Sequence, residues 1–142
     1  MRRERGNLEE NLRGAGLRVT PQRRAVWSAF QGGASEHLTA EEVFARARSG
    51  LPELARATVY NTLAVFVDAG LLRVVESRGA VLYDPNPDPT HHHFRCRGCD
   101  RLYDVHVEGV KDLKISGDRE FVVDRKTILL GGLCPLCSSP AR

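Results

Sequence analysis

The four cysteines of the chain form two pairs, Cys96-Arg-Gly-Cys99 and Cys134-Pro-Leu-Cys137. Residues 100–133 separate the pairs, and no cysteine is left over. Each pair lies at the end of a predicted strand with Gly or Pro inside it, which favours a tight turn that directs two thiolates at one ion. Four thiolates in a tetrahedron select zinc and leave no open position, so the predicted role is structural. A thioredoxin-like redox pair is the alternative, but two such motifs without a matching βαβ pattern argue against it.

A second group of candidate ligands has harder donor atoms. On an extended strand residues i and i+2 share a face, so His91 and His93 can reach one metal while His92 points away. A polar edge strand is the alternative interpretation of these histidines. Imidazoles and carboxylates suit Fe²⁺ or Mn²⁺, with zinc possible, so this stretch is predicted to serve two different sites. The remaining imidazole and carboxylate candidates are His37 in the N-terminal half, Asp84 after a predicted hairpin, and Asp104 on the following predicted strand.

Capping signals in the N-terminal half predict helices. Thr20-Pro21 is a typical helix start, with a side-chain cap followed by a proline at the first helical position. Thr39 and Glu42 form a capping box that opens the next helix. The segment ATVYNTLAVFVDAG (57–70) predicts a further helix that ends at Gly70.

A predicted hairpin follows these helices. Two strands rich in β-branched residues flank Ser77-Arg78-Gly79. Short helices followed by a small hairpin describe a winged helix-turn-helix, in which the helix before the hairpin is the recognition helix.

The proline-rich stretch PNPDP (85–89) predicts the boundary between two domains. The predicted fold is α+β, with a winged-helix DNA-binding domain at 1–84, a hinge at 85–89 and a small α/β dimerisation and metal-binding domain at 90–142. So small a second domain rarely folds alone and usually needs a metal or a partner chain. The segments HHFRC, RLYDV and EFVVDRKTILL are predicted strands, the last of which can pair across a dimer, and Gly109–Gly117 is predicted to hold one short helix.

The charge distribution indicates a nucleic-acid partner. The net charge is only +3, but seven arginines and three glutamates fall within the first 24 residues. A basic segment of this kind often follows phosphate, although a solvated helix face is the alternative. The N-terminus lacks the apolar stretch of a secretory signal, and no apolar run is long enough to span a membrane. A cytoplasmic protein with reduced thiols is therefore expected.

Taken together, four motifs in this order resemble the ferric uptake regulator (Fur) superfamily. They are Thr20-Pro-Gln-Arg23, Ala57-Thr-Val-Tyr60, His91-His-His93 and the paired CxxC motifs. The resemblance covers about residues 8–137 and is nearest to the peroxide-sensing branch, PerR. It implies a dimeric, metal-dependent transcriptional repressor with structural Zn²⁺ at Cys96, Cys99, Cys134 and Cys137.

The resemblance also implies one regulatory Fe²⁺ or Mn²⁺ site made of His37, Asp84, His91, His93 and Asp104. Asp rather than Glu at 104, and Asn61 where iron-uptake members commonly have Arg, favour the peroxide-sensing branch. Ala55 stands where the family often has a serine, the expected helix cap. Arg125 stands about where some members have a histidine of a further metal site, so no third site is predicted.

The predicted DNA contacts come from the recognition helix and from nearby arginines. Tyr60 and Asn61 are expected to reach base edges, and Thr58 is expected to bond to phosphate, although a core position is the alternative for Tyr60. Phosphate contacts are expected from Arg18, Arg23, Arg24 and, at the wing tip, Arg78. The expected partner is double-stranded DNA, an A/T-rich palindromic operator bound by a homodimer.

The predicted function is repression that is relieved when peroxide and iron oxidise His37 or His91. A regulator of iron, manganese or zinc uptake that reports metal level alone is the alternative within the family. A small hydrolase using His91, His93 and Asp104 would leave the winged helix without a purpose, so no enzymatic activity is predicted. A zinc-ribbon adaptor that binds only protein would leave the N-terminal arginines and the ATVYN motif unexplained.

Overall fold

The computed structural model describes residues 8–30, 36–86, 88, 90–117 and 120–139. The chain divides into two compact units, 1–89 and 90–142. Two of the prolines in the predicted hinge, Pro87 and Pro89, lie outside the described residues, as do Arg2, Arg3 and Arg5 of the basic segment. Within the described residues, no helix has the length and apolar character that a membrane span requires.

The first unit consists of four helices and a hairpin. The helices are α1 (Leu8–Gly14), α2 (Pro21–Ser28), α3 (Ala40–Gly50) and α4 (Arg56–Asp68), and the strands are β1 (Arg73–Ser77) and β2 (Ala80–Asp84). The order of helices and hairpin is that of a winged helix-turn-helix, as predicted.

Three of the helix starts and ends follow the predicted signals. The Thr20 hydroxyl accepts a hydrogen bond from the Arg23 N–H, and Pro21 is the first helical residue. Thr39 and Glu42 make both bonds of the capping box. Gly70 follows α4 with a φ of +76°, the left-handed conformation that glycine adopts most easily after a helix.

Aromatic and aliphatic side chains from α2, α3 and α4 form the core of the first unit. The ring of Trp27 packs edge-on against Phe66, with centroids 5.7 Å apart, and Phe30, Val43 and Leu63 are completely buried around them. This core fixes α4 and leaves its opposite face in solvent.

The second unit is a small sheet with short helical turns. Strand β3 (His92–Cys96) lies in the centre, antiparallel to β4 (Leu102–Val105) and parallel to β5 (Leu129–Gly132). A 3₁₀ turn spans Val110–Asp112, and α5 (Pro135–Ser138) follows β5. The short helix predicted within Gly109–Gly117 is therefore only this three-residue turn.

The strand predicted over EFVVDRKTILL is wrong for most of its length. Only its last two residues belong to β5, and residues 120–128 are not in a strand. Phe121 and Val122 are 57% and 91% exposed. β-Branched and aromatic residues favour a strand only when neighbouring strands pack beside them. The composition of residues 120–128 alone was therefore not sufficient to form a strand there.

Candidate metal sites and nucleic-acid interface

Both cysteine pairs lie at the ends of neighbouring strands. Cys96 ends β3, and Cys134 follows β5, its parallel neighbour. The four sulfur atoms lie within 4.8 Å of one another, and Cys99 Sγ is 3.9 Å from Cys134 Sγ. Zinc bound tetrahedrally at about 2.3 Å places its sulfurs about 3.8 Å apart, so the cluster has the dimensions of a zinc site.

Backbone N–H groups surround the sulfur of Cys96. Those of Cys134, Gly98 and Cys99 lie 3.3, 3.3 and 3.4 Å from Cys96 Sγ. These donors, of which the Cys134 N–H has the largest effect, stabilise the Cys96 thiolate and lower the pKa of Cys96 to about 6. A thiolate is the form that binds metal, so the turn prepares this residue as a ligand.

The other sulfurs influence one another. Hydrogen bonds from the Tyr103 hydroxyl and the Cys137 backbone lower the pKa of Cys134. The hydrogen bond between the Cys137 thiol and the sulfur of Cys134 raises the pKa of Cys137 to about 12. The Cys137 thiol therefore stays protonated at neutral pH unless a cation binds. A divalent cation removes that obstacle, which is a second reason why the donor set fits zinc.

The histidine of the first unit is held next to its aspartate by a short bridge. Leu38 and Tyr83 exchange two backbone hydrogen bonds, which makes the residues on either side, His37 and Asp84, neighbours. His37 Nε2 lies 3.6 Å from Asp84 Oδ2, and both side chains are buried.

The corresponding residues of the second unit meet on one face of the sheet. His93 pairs with Asp104 across β3 and β4, and His93 Nε2 lies 3.4 Å from Asp104 Oδ1. His91 Nε2 lies 4.0 Å from the same oxygen, and the two imidazole centroids are 4.9 Å apart. His91 and His93 thus share a face, as the i, i+2 spacing predicts.

These separations are longer than the usual 2.7–3.2 Å of an N–H···O hydrogen bond. Donors about 2.1 Å from a common ion, at angles of 90–120°, lie about 3.0–3.6 Å apart. Each histidine–aspartate group therefore has approximately the spacing of metal ligands, and the nitrogen and oxygen donors fit Fe²⁺ or Mn²⁺.

His92 has a different role from its neighbours. Its Nδ1 accepts a hydrogen bond from the Ile128 N–H at 3.2 Å, next to the start of β5. The His92 side chain is buried, and its hydrogen bond links β3 to the segment that leads into β5.

On α4, the predicted recognition helix, the predicted contact residues are accessible. Tyr60 is 43% exposed rather than part of the core, Asn61 is exposed, and Thr58 is partly buried. Ala55 occupies the N-cap position and offers no side-chain hydrogen bond, as expected from its departure from the family pattern.

The predicted phosphate-binding arginines have different surroundings. Arg23 donates to the Arg18 carbonyl oxygen at 2.8 Å, and Arg24 forms an exposed ion pair with Glu9 at 3.0 Å. Arg78 lies in the two-residue turn between β1 and β2 with a φ of +52° and is exposed. All four predicted arginines belong to the first unit, which also contains α4, the predicted recognition helix.

Two features of these sites were not visible in the sequence motifs. A Cβ at Gly98 would lie 3.0 Å from Cys137 Cβ, so glycine allows the second cysteine turn to pack on the first. Glu41, in the first turn of α3, contacts both Arg56 and Tyr60. Both contacts join residues that are distant in sequence, so the spacing of residues within a motif could not predict them.

Comparison with known proteins decides the family. The model of the ferric uptake regulator family matches residues 14–128. The chain belongs to the ferric uptake regulator family. The transcriptional regulator FurA of Mycobacterium tuberculosis H37Rv is 37% identical over 132 residues, covering 91% of this chain and 88% of FurA. The Bacillus subtilis peroxide operon regulator is 28% identical over 134 residues, covering 91% and 90%.

The fold is also that of the family. The Vibrio cholerae ferric uptake regulator has a TM-score of 0.67 at 22% identity, covering 90% of this chain and all of that one. The α+β fold and the resemblance to the superfamily are therefore confirmed. As a member of this family the chain is a metal-responsive transcriptional regulator, whereas its relatives include both FurA and peroxide regulators.

Proposed function

We propose that this chain is a dimeric repressor that senses hydrogen peroxide through iron-catalysed oxidation of a ligand histidine. The observation that carries the proposal is the second donor set, in which imidazole nitrogens face aspartate oxygens apart from the cysteine thiolates. Such donors suit a redox-active Fe²⁺. Peroxide regulators at 28% and 30% identity support the same choice.

The proposed ligands of one regulatory Fe²⁺ or Mn²⁺ are His37, Asp84, His91, His93 and Asp104. Two of them belong to the first unit and three to the second. An ion that recruits both groups couples the two units, so metal strengthens DNA binding and DNA strengthens metal binding by the same factor. The four cysteines hold the structural Zn²⁺ in this proposal and do not sense peroxide.

The peroxide response depends on the imidazole ligands. Fe²⁺ held by these ligands would catalyse cleavage of the O–O bond of hydrogen peroxide, so that one oxygen adds to an imidazole ring and the other leaves as water. The rings of His37 and His91 are the proposed oxidation-sensitive groups, and an added oxygen weakens the ring as a ligand, so DNA is released. With Mn²⁺, which is much harder to oxidise, the same rings stay intact and the operator stays bound.

The proposed DNA interface is centred on α4. Tyr60 and Asn61 are exposed and face base edges, with Thr58 on phosphate. Arg18, Arg23, Arg24 and the wing residue Arg78 bind phosphate without sequence preference. The proposed partner is an A/T-rich palindromic DNA operator, and the proposed location of the protein is the cytoplasm.

The proposed dimer forms through the second unit. Apolar side chains on that unit are unusually exposed, among them Phe121, Val122 at 91% and Leu136 at 79%. Covering these side chains with a second copy removes them from water, and the copy supplies the neighbour that residues 120–128 need to become a strand.

A regulator that reports metal level alone is the second candidate. FurA, named a transcriptional regulator, is 37% identical to this chain, whereas the Bacillus subtilis peroxide operon regulator is 28% identical. In this case the same ligands bind metal, but peroxide leaves the histidines and the DNA complex unchanged. Family membership also favours either regulator over a hydrolase.

An oxygen-free DNA-shift series separates the two candidates. Protein with its zinc intact is loaded with Fe²⁺ or Mn²⁺, bound to an A/T-rich palindrome from its own promoter, and given a small dose of peroxide. Peptide mass spectrometry then reads His37 and His91. Release of DNA by the Fe²⁺ protein alone, with one added oxygen on either peptide, supports peroxide sensing. Binding that persists with both metals identifies a regulator of metal uptake.

Two variants test the ligand assignment in the same series. Asp104→Asn is expected to lower Fe²⁺ or Mn²⁺ affinity by at least about 100-fold, because even outer partners of ligands contribute 10- to 100-fold. His106→Ala, an exposed histidine two residues away, is the control and keeps wild-type affinity. An unchanged affinity in Asp104→Asn excludes this residue from the site.

A further inference from the structure

One carboxylate of the first unit holds two residues of the recognition helix. Glu41, in the first turn of α3, accepts hydrogen bonds from Arg56 Nη1 at one oxygen and from the Tyr60 hydroxyl, at 3.0 Å, at the other. Arg56 begins α4, and Tyr60 lies one turn later. The Arg56 guanidinium also lies 4.7 Å from the ring centroid of Phe44, so it is held from two sides.

The cluster has opposite consequences for two kinds of DNA contact. Attraction between arginine and phosphate is independent of sequence and dominates non-specific binding. Contacts to base edges supply the discrimination between sequences. A carboxylate beside both groups neutralises Arg56 and repels phosphate, while it fixes the direction of the Tyr60 ring.

We infer that Glu41 is a specificity-determining residue, which positions Tyr60 for its base contact and withholds Arg56 from sequence-independent phosphate binding. The inference rests on the proposed function, because it requires that α4 reads DNA. It adds an acidic residue of the preceding helix to an interface that otherwise consists of neutral and basic side chains.

The ionisation of the cluster agrees with this role. The hydrogen bonds from Arg56 and Tyr60 lower the pKa of Glu41, so the carboxylate is charged at neutral pH. Because its hydroxyl donates to Glu41, the pKa of Tyr60 is raised, and the hydroxyl remains a donor. The arrangement thus persists from the acidic range below the normal carboxyl pKa up to alkaline pH.

The test compares Glu41→Gln with Glu53→Gln in the full-length, Mn²⁺-loaded protein. Glu53 is an exposed glutamate of the same unit, so its variant removes the same charge without touching the cluster. Dissociation constants are measured over a salt series on two duplexes, the promoter-derived palindrome and a shuffled sequence of the same length and composition.

Glu41→Gln is expected to raise affinity for the shuffled duplex about threefold and to steepen its salt dependence by about one phosphate contact. Affinity for the palindrome does not rise with it, so the ratio of the two affinities falls. Adding Arg56→Gln to Glu41→Gln returns the salt dependence to its wild-type slope, because the additional contact is made by Arg56.

Absorbance titration of the tyrosines gives a readout without DNA. One tyrosine of the three titrates at lower pH in Glu41→Gln and at unchanged pH in Glu53→Gln. Equal changes of both affinities in Glu41→Gln, or changes equal to those of Glu53→Gln, overturn the inference. If instead the wild-type protein prefers neither duplex with either metal, the proposed function itself has failed, whereas the titration still reports the contact between Glu41 and Tyr60.

Discussion

The two units of the chain are stabilised in different ways. The first contains a continuous apolar core in which Phe30, Phe66 and Leu63 are completely buried. In the described part of the second unit, the buried hydrophobic residues are two cysteines, Cys96 and Cys134. The other side chains buried there are the histidines at 91–93, and several large apolar side chains are exposed.

This difference separates a unit that its own side chains can fold from one that needs external partners. A unit of about 50 residues is marginally stable at best on its own core, and the described residues of this one bury very little apolar surface. Zinc at the proposed cysteine site and a second copy over the exposed apolar side chains would supply what the second unit lacks.

The largest effect is expected from removing the proposed zinc ligand Cys99. Structural zinc contributes apparent binding free energies of about 10–16 kcal/mol, which is more than a unit of this size can lose. Cys99→Ser is therefore expected to abolish zinc binding and to unfold residues 90–139, while the first unit stays folded. Elemental analysis measures the zinc, and hydrogen exchange read peptide by peptide shows which unit has lost protection.

The control for this experiment is Ser138→Ala, next to a cysteine but outside the cluster, which should keep its zinc. If protection is lost equally from α4 and from β3 in Cys99→Ser, the two units do not fold independently, and the contrast drawn between them is wrong.

The next effect concerns the apolar core alone. Phe66 is completely buried and meets Trp27 edge-on. Phe66→Ala is expected to destabilise the first unit by about 3–5 kcal/mol, because it removes a large buried surface and leaves a cavity. Zinc content and protection of β3 should not change. Zinc loss from this variant would show that the second unit depends on the first.

A smaller effect is expected where the cysteine turns pack together. Gly98→Ala places a Cβ 3.0 Å from Cys137 Cβ and 3.2 Å from Leu133 Cδ2. Relieving this contact is expected to cost about 1–3 kcal/mol. Competition with a chelator should therefore remove zinc more readily. Gly131→Ala is the matched control, since a Cβ there meets nothing within 4 Å, and equal zinc loss from both variants would contradict the packing argument.

Local and distant interactions were not equally visible in the sequence. The caps at Thr20 and Thr39 and the two CxxC motifs depend on residues within three positions of each other, and their spacing is readable directly. The i, i+2 relation of His91 and His93 is local as well. The strand predicted through Phe121 failed because a strand requires a partner that spacing does not identify. The contact between Glu41 and Tyr60 joins residues 19 apart, and it depends on how α3 packs against α4.

The smallest effect distinguishes two helices of the first unit that begin differently. Thr39 caps α3 with a full capping box, whereas Ala55 leaves α4 without a side-chain cap. Thr39→Ala is expected to destabilise the unit by about 1 kcal/mol, and Ala55→Ser to stabilise it by about 0.5–1 kcal/mol. The φ and ψ of Ala55, −83° and 147°, already suit a capping serine, so the gain requires no change of the backbone. Urea unfolding followed by Trp27 fluorescence measures both changes, and zinc content should be the same in both variants.

The missing cap of α4 can also be tested for a role in DNA binding. If Ala55→Ser stabilises the unit and yet weakens binding to the operator, DNA uses the uncapped N–H groups of α4. Leaving those groups exposed then lowers stability but improves recognition. If stability and operator affinity rise together, the missing cap has no such role.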